Sequence, residues 1–205
     1  MFDWASQPFY TLIVTFLFAP YFANYFVQDA VLGQTLWGYS AAIAGIGIAI
    51  LSPLFGAISD ASGKRKPWIG WGTLIMAAAM TGLWLAAPGM PDRIYVVMGF
   101  VIIAMIAGEV TLVFINSMMP TLTTPEKLGQ LSGTGWAIGF VGGLISLLFM
   151  LGFIIVDPNS GKTVLGIDPV LPFDAAEHQH DRFVGPFSAL WLIVFSMPFL
   201  SLIHI

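Results

Sequence analysis

Six apolar runs separated by short polar interruptions set the plan of the chain. They cover about residues 9–26, 36–59, 68–87, 94–118, 131–156 and 187–205. Each comes close to, or exceeds, the roughly 20 residues a helix needs to cross the hydrocarbon of a bilayer. The runs lack the strict alternation of a half-buried strand. They predict an all-α integral membrane fold of six transmembrane helices. Asp29–Thr35 and Pro88–Arg93 read as short outer loops, and Thr121–Leu128 as an inner return. A long polar outer loop at 157–185 carries five of the eleven acids. Pro8 suits a helix N-terminus, with a start before it as the alternative, and Pro20 predicts a kink in the first span.

Polar residues inside these runs are the informative ones. Gln7, Thr11 and Thr15 fall at i, i+4 and i+8 and form a stripe along one helical face. Lipid offers such a stripe no partners, so it is expected to face the bundle interior; the alternative is that the Thr hydroxyls bond back to their own helix. Glu109 stands about 15 residues into the fourth run, roughly 22 Å along a helix. A carboxylate at that depth needs a cavity or a partner. It reads either as a proton or cation contact or as a lock to a charge such as Arg65. Asn116 follows at i+7 on the same face. These five residues are the candidate substrate or ion cavity. Small residues let membrane helices approach closely, which marks Gly45 in the second run and Gly135, Gly139, Gly142 and Gly143 in the fifth as packing positions. That both runs are glycine-rich hints at a three-plus-three repeat.

Composition agrees with the pattern. The chain is 58% hydrophobic and 9% charged, with a mean hydropathy of +0.88, against about 25% charged in soluble domains. No basic stripe points to nucleic acid. Without cysteine, thiolate chemistry and disulfides are excluded. The first run lacks the basic lead and cleavage site of a signal peptide. Nothing calls for a cofactor or a metal: His178, His180 and Asp181 read as part of a solvated loop.

Charge fixes the expected orientation. Lys64-Arg65-Lys66 is the one run of three basic residues, and short basic loops stay on the cytoplasmic side. With Lys127 on that side, both ends are expected to be cytoplasmic. The loop around it has the spacing Gly56-x-x-x-Asp60-x-x-Gly63-Lys64-Arg65. Gly56 allows close helix approach and Gly63 a tight turn. Asp60, Lys64 and Arg65 place charges at the membrane boundary.

This loop resembles the signature between helices 2 and 3 of the major facilitator superfamily, where it gates the conformational change. Phe2-Asp3-Trp4-Ala5 with Phe18-Ala19-Pro20-Tyr21-Phe22 is similar to the opening of one branch. That branch holds the vacuolar amino-acid effluxers linked to autophagy and bacterial permeases. Val113–Pro120, Thr124-Pro125-Glu126, Ser132–Gly139 and Gly142-Gly143 resemble its later segments. The resemblance covers nearly all of the chain except the 157–185 loop. It implies twelve helices in two halves, alternating access, a cavity lined mainly by helices 1 and 4, and contact of helices 2 and 5 with the second half. The chain is then the N-terminal six-helix half, a fragment or a half-length product. Its partners would be the missing C-terminal half, a small solute, possibly amino-acid-like, and lipid, in a bacterial inner membrane.

Two departures narrow the reading. Ala61 follows the loop aspartate where the family commonly has a basic residue. Ala104 stands where proton-coupled members often carry an arginine, four residues before Gly108. An enzyme is not expected, because no nucleophile–base or paired-aspartate arrangement lies at helix depth. The other readings are a non-transporting receptor or scaffold, and a half-size transporter acting as a homodimer.

Overall fold

A computed structural model describes residues 2–62, 65–157 and 160–202. Gly63 and Lys64 of the basic loop lie outside the described residues, as does the side chain of Asp60. Among the described residues the regular structure is all helical, with no strand.

Helix α1 spans Phe2–Phe26 and begins seven residues before the expected start, with Asp3 in its first turn. A carboxylate there is favourable to the helix dipole. Pro8 therefore lies inside the helix rather than at its start. It supplies no N–H to the ladder, and from Phe9 to Phe16 the helix is π-helical. The ladder breaks at Leu17, whose N–H reaches back to the Leu12 carbonyl at 2.9 Å. Pro20, three residues on, clashes by its ring with the carbonyl four residues earlier. A short α segment, Phe18–Tyr21, leads into a second π-helical stretch, Phe22–Phe26.

Helix α2 (Ala30–Ser62) replaces the short loop expected at 29–35. Asp29 is its N-cap: the Val31 and Leu32 N–H groups each donate to Asp29 Oδ1 at 3.0 Å. A capping aspartate of this kind satisfies helix-end donors that would otherwise be orphaned. Gln28, just before it, takes a left-handed conformation at φ 60°. Helix α3 (Arg65–Gly82) runs into a 3₁₀ turn, Leu83–Leu85. Helix α4 (Ile94–Leu122), helix α5 (Leu128–Phe153) and helix α6 (Val184–Leu202) complete the bundle. By length and composition, α1 to α5 suffice to cross a bilayer among the described residues. The 19-residue α6 is outside that set. The chain is an all-α integral membrane protein.

Helix α1 packs against α5 and α6, α3 against α4 and α6, and α2 against α4. Phe9, Leu12, Ile13, Phe22, Met76, Met80 and Phe114 fill the interior. On α2, by contrast, Val31, Ile43, Ile46, Ile50 and Leu54 are exposed. Lipid is itself apolar and imposes little penalty on such a face.

The packing glycines divide. A Cβ at Gly47 would lie 2.7 Å from Ile106, so α2 needs that glycine against α4. A Cβ at Gly45 would meet nothing within 4 Å among the described residues. The four α5 glycines marked from the sequence face α1: Gly135 and Gly139 meet Asp3, Gly142 meets Trp4, and Gly143 meets Gln7 and Thr11. The glycine face of α5 is thus taken up within the chain rather than left for a second half.

The 157–185 loop is not simply solvated. Val164 and Val170 donate backbone hydrogen bonds to the carbonyls of Leu151 and Phe153, at 3.1 and 2.9 Å. His180 and Arg182 are only 4% and 7% exposed. The Arg182 Nε and Nη2 both donate to the Trp84 carbonyl, at 2.9 and 2.6 Å, and its guanidinium lies 4.7 Å over the Trp84 ring. Burial pulls the Arg182 guanidinium below its usual value.

A candidate solute cavity between α1, α4 and α5

Asp3, Gln7, Tyr10 and Thr11 recur at about helical spacing along one face of α1. With Glu109 on α4 and Trp136 and Phe140 on α5, they line a cavity of about 670 Å³. That volume lies within the range of small-molecule sites. No Lys, Arg or His lines it among the described residues.

Glu109 is half-buried and accepts a hydrogen bond from the Tyr10 hydroxyl at 3.0 Å. This bond ties α1 to α4 across the cavity wall. Gly108 makes room for it: a Cβ there would stand 3.2 Å from the Tyr10 hydroxyl and 3.3 Å from the Met76 methyl. The lock to Arg65 considered from the sequence is not formed. Arg65 Nε instead donates to Ser59 Oγ at 3.3 Å, and Ser59 Oγ lies 2.9 Å from Ser117 Oγ. The start of α3 is thereby tied to the ends of α2 and α4.

Four of the five cavity candidates come together: Gln7, Thr11, Thr15 and Glu109 all line the space. The Thr15 hydroxyl is engaged with its own helix, donating to the Tyr10 carbonyl at 2.8 Å. Asn116 does not line it and is exposed. It shares the face of Glu109, but on α4 the lining extends only from Gly108 to Leu112. Sequence reasoning missed Asp3, Tyr10 and the α5 aromatic wall. Extending the Gln7–Thr11 stripe one turn back would have found Asp3.

Of the gating-loop candidates, Gly56 sits 4.0 Å from Val113 as measured from an added Cβ, an ordinary contact. Beside the loop, Trp68 stacks on Phe114 at 5.8 Å and packs edge-on to Phe55. At the opposite end of α1, the Tyr21 hydroxyl donates to the Ala86 carbonyl. The His178 ring lies 4.4 Å from the Tyr25 ring and its Nδ1 is 2.9 Å from Asp181 Oδ2.

Residues 24–130 match the family described as vacuole effluxer Atg22 like. That span includes Glu109 and the basic loop, while Asp3, Gln7, Tyr10 and Trp136 lie outside it. The whole chain is 21% identical to an uncharacterized MFS-type transporter, YxiO, of Bacillus subtilis (strain 168), and covers 45% of that protein. The chain thus spans about half the length of this relative. No solved structure matches.

Proposed function

This chain belongs to the family of Atg22-like vacuole effluxers, and from that membership we propose that it is one six-helix half of a secondary active transporter that moves a small, amino-acid-like solute by alternating access. The observation that carries the reading is the cavity between α1, α4 and α5, whose largely apolar wall gathers Asp3, Gln7, Thr11 and Glu109. Membrane proteins tolerate polar and ionisable groups at helix depth chiefly where they face a pathway or a partner. Here Glu109 has both, a Tyr10 hydroxyl and an open side.

In this reading a second half closes the remaining side of the cavity. The two halves rock about the site, as in transporters built from repeats. The Asp60–Arg65 loop lies on the cytoplasmic face of a bacterial inner membrane, with both chain ends on the same side. It acts as a latch: Arg65, Ser59 and Ser117 join three helix ends at a point that must shear as the halves move. Transport does not use an arginine at position 104, where alanine stands.

The test is solute flux in proteoliposomes containing the protein expressed from its complete gene. Asp60→Asn is expected to reduce flux severely at unchanged insertion and abundance. Glu109→Gln is expected to change affinity or the pH dependence of flux. Absence of flux for a broad panel of amino acids, amines and organic acids, with the protein correctly inserted, would overturn the transport reading in favour of a scaffold or receptor.

A further inference from the structure

We infer that the cavity takes an organic cation, held between Asp3 and Glu109 against aromatic walls; this deepens the transport reading and rests on it. Two carboxylates line the space and no basic side chain among the described residues does. Among the described residues Glu109 is bonded only to a neutral hydroxyl, that of Tyr10. Asp3 is bonded to nothing: among the described residues no hydrogen bond or ion pair reaches its carboxylate. The α5 positions that face it are Gly135 and Gly139, where an added Cβ would lie 3.0 Å from Asp3 Oδ2 and 3.0 Å from Asp3 Cβ. Glycine there brings the helix close yet supplies no donor to Asp3. A half-buried carboxylate that faces the cavity is the group a bound cation would offset.

The walls favour an organic cation over a bare metal ion. Tyr10, Phe16, Trp136 and Phe140 present aromatic surface to the space, and Trp136 and Phe140 are 59% and 57% exposed. Aromatic faces attract alkylammonium groups through the ring quadrupole, Trp most strongly. An alkali or divalent ion would instead need a shell of several oxygen ligands. The volume of about 670 Å³ also exceeds what a hydrated ion requires.

The simplest competing account makes Asp3 a first-turn carboxylate that serves the helix dipole and Glu109 a link between α1 and α4. The experiment separates the two. Equilibrium binding of radiolabelled choline and arginine is measured on the protein from its complete gene in nanodiscs, with leucine and glutamate as comparisons. Choline or arginine is expected to bind saturably, and leucine and glutamate at least tenfold more weakly. Asp3→Asn and Glu109→Gln should each weaken cation binding by about tenfold or more, while Asp3→Glu restores most of it. Trp136→Leu should weaken choline by several-fold.

Several outcomes sink the idea. They are leucine or glutamate binding as tightly as the cations, sodium bound with no organic cation retained, or cation binding indifferent to Asp3→Asn and Glu109→Gln in folded, monodisperse protein. Flux of a neutral or anionic solute unaffected by both variants removes the cation inference and leaves the transport reading intact. Saturable, carboxylate-dependent cation binding without flux does the reverse.

Discussion

Around Tyr21, α1 is closed off by polar groups that bond to backbone; around Gln7 it is left facing open space. At the Tyr21 end, the Tyr21 hydroxyl donates to the Ala86 carbonyl and the Arg182 guanidinium donates twice to the Trp84 carbonyl. His178 is joined to Asp181. At the Gln7 end, one hydrogen bond, Tyr10 to Glu109, crosses to α4, while Asp3, Gln7 and Thr11 line the cavity. Burying a polar group is costly unless its bonds are made. Groups whose bonds are all made within the protein are held for structure. Groups left with open capacity are held for something that arrives. The comparison therefore predicts that changes at the Tyr21 end cost stability, and changes at the Gln7 end cost binding.

The largest expected effect is at Arg182. Arg182→Met removes three charge-assisted hydrogen bonds, two to the Trp84 carbonyl and one to the Glu177 carbonyl, together with the contact over the Trp84 ring. The expected loss is on the order of 3 kcal/mol, read as an earlier unfolding transition in detergent. Arg182→Lys should recover only part, because an ammonium lacks the planar fork that bonds and stacks at once. A stability unchanged by Arg182→Met would erase the structural half of the comparison.

Packing comes next. An added Cβ at Gly142 falls 2.9 Å from the Trp4 ring, whereas at Gly45 nothing lies within 4 Å. Gly142→Leu should cost about 1–3 kcal/mol by overpacking α1 against α5. Gly45→Leu should cost almost nothing in this chain, where its face is open to lipid. Equal losses at the two sites would show that the α1–α5 contact does not hold the cavity wall.

How far the sequence carried can be judged on these same elements. The apolar runs located all six helices, because hydropathy is a property of the segment and needs no tertiary knowledge. Their ends drifted where local chemistry decided. Asp29 reads as a loop residue by polarity, yet by capping it starts α2 six residues earlier than the hydropathy does. The Gln7–Thr11 stripe and Glu109 were legible, since a polar group in an apolar run stands out. Tyr10 was not, because a tyrosine passes as core until Gly108 is seen making way for its hydroxyl. By sequence His180 reads as part of a solvated loop, and only the docking of that loop onto Trp84 buries it and Arg182. Asn116 failed for the opposite reason: helical phase places a residue on a face, but the depth of the cavity along that face is a tertiary property.

A smaller effect is expected from pH at the Tyr21 end. His180 is 4% exposed, its Nε2 has no partner among the described residues, and its ring stands edge-on to Phe173 at 5.6 Å. Burial pulls its pKa below the ordinary 6.5; His178 adds to this, while Asp181 and Asp174 oppose it. The folded protein then binds fewer protons than the unfolded chain as pH falls below about 6.5. Stability is complete above that value and declines from there down to the lowered folded value. Denaturation curves measured across this window should show the decline, and His180→Phe should remove it. A decline that persists in His180→Phe would assign it to other groups.

The smallest expected change in stability is at Glu109, and there the comparison is most exposed to failure. Glu109→Gln keeps the volume of the side chain, and the amide carbonyl still accepts the Tyr10 hydroxyl that now bonds to Glu109 Oε1. What is lost is a charge, not a bond. The difference between a charged and a neutral acceptor is about 1 kcal/mol, and it is offset in part because a neutral amide is less costly than a carboxylate in a half-buried wall. The unfolding transition of Glu109→Gln should therefore lie within about 1 kcal/mol of the parent, while Tyr10→Phe, which removes the bond and keeps the charge, should cost slightly more. If Glu109→Gln unfolds as early as Arg182→Met, Glu109 is a structural tie of the same kind as Arg182, and the two ends of α1 are built alike.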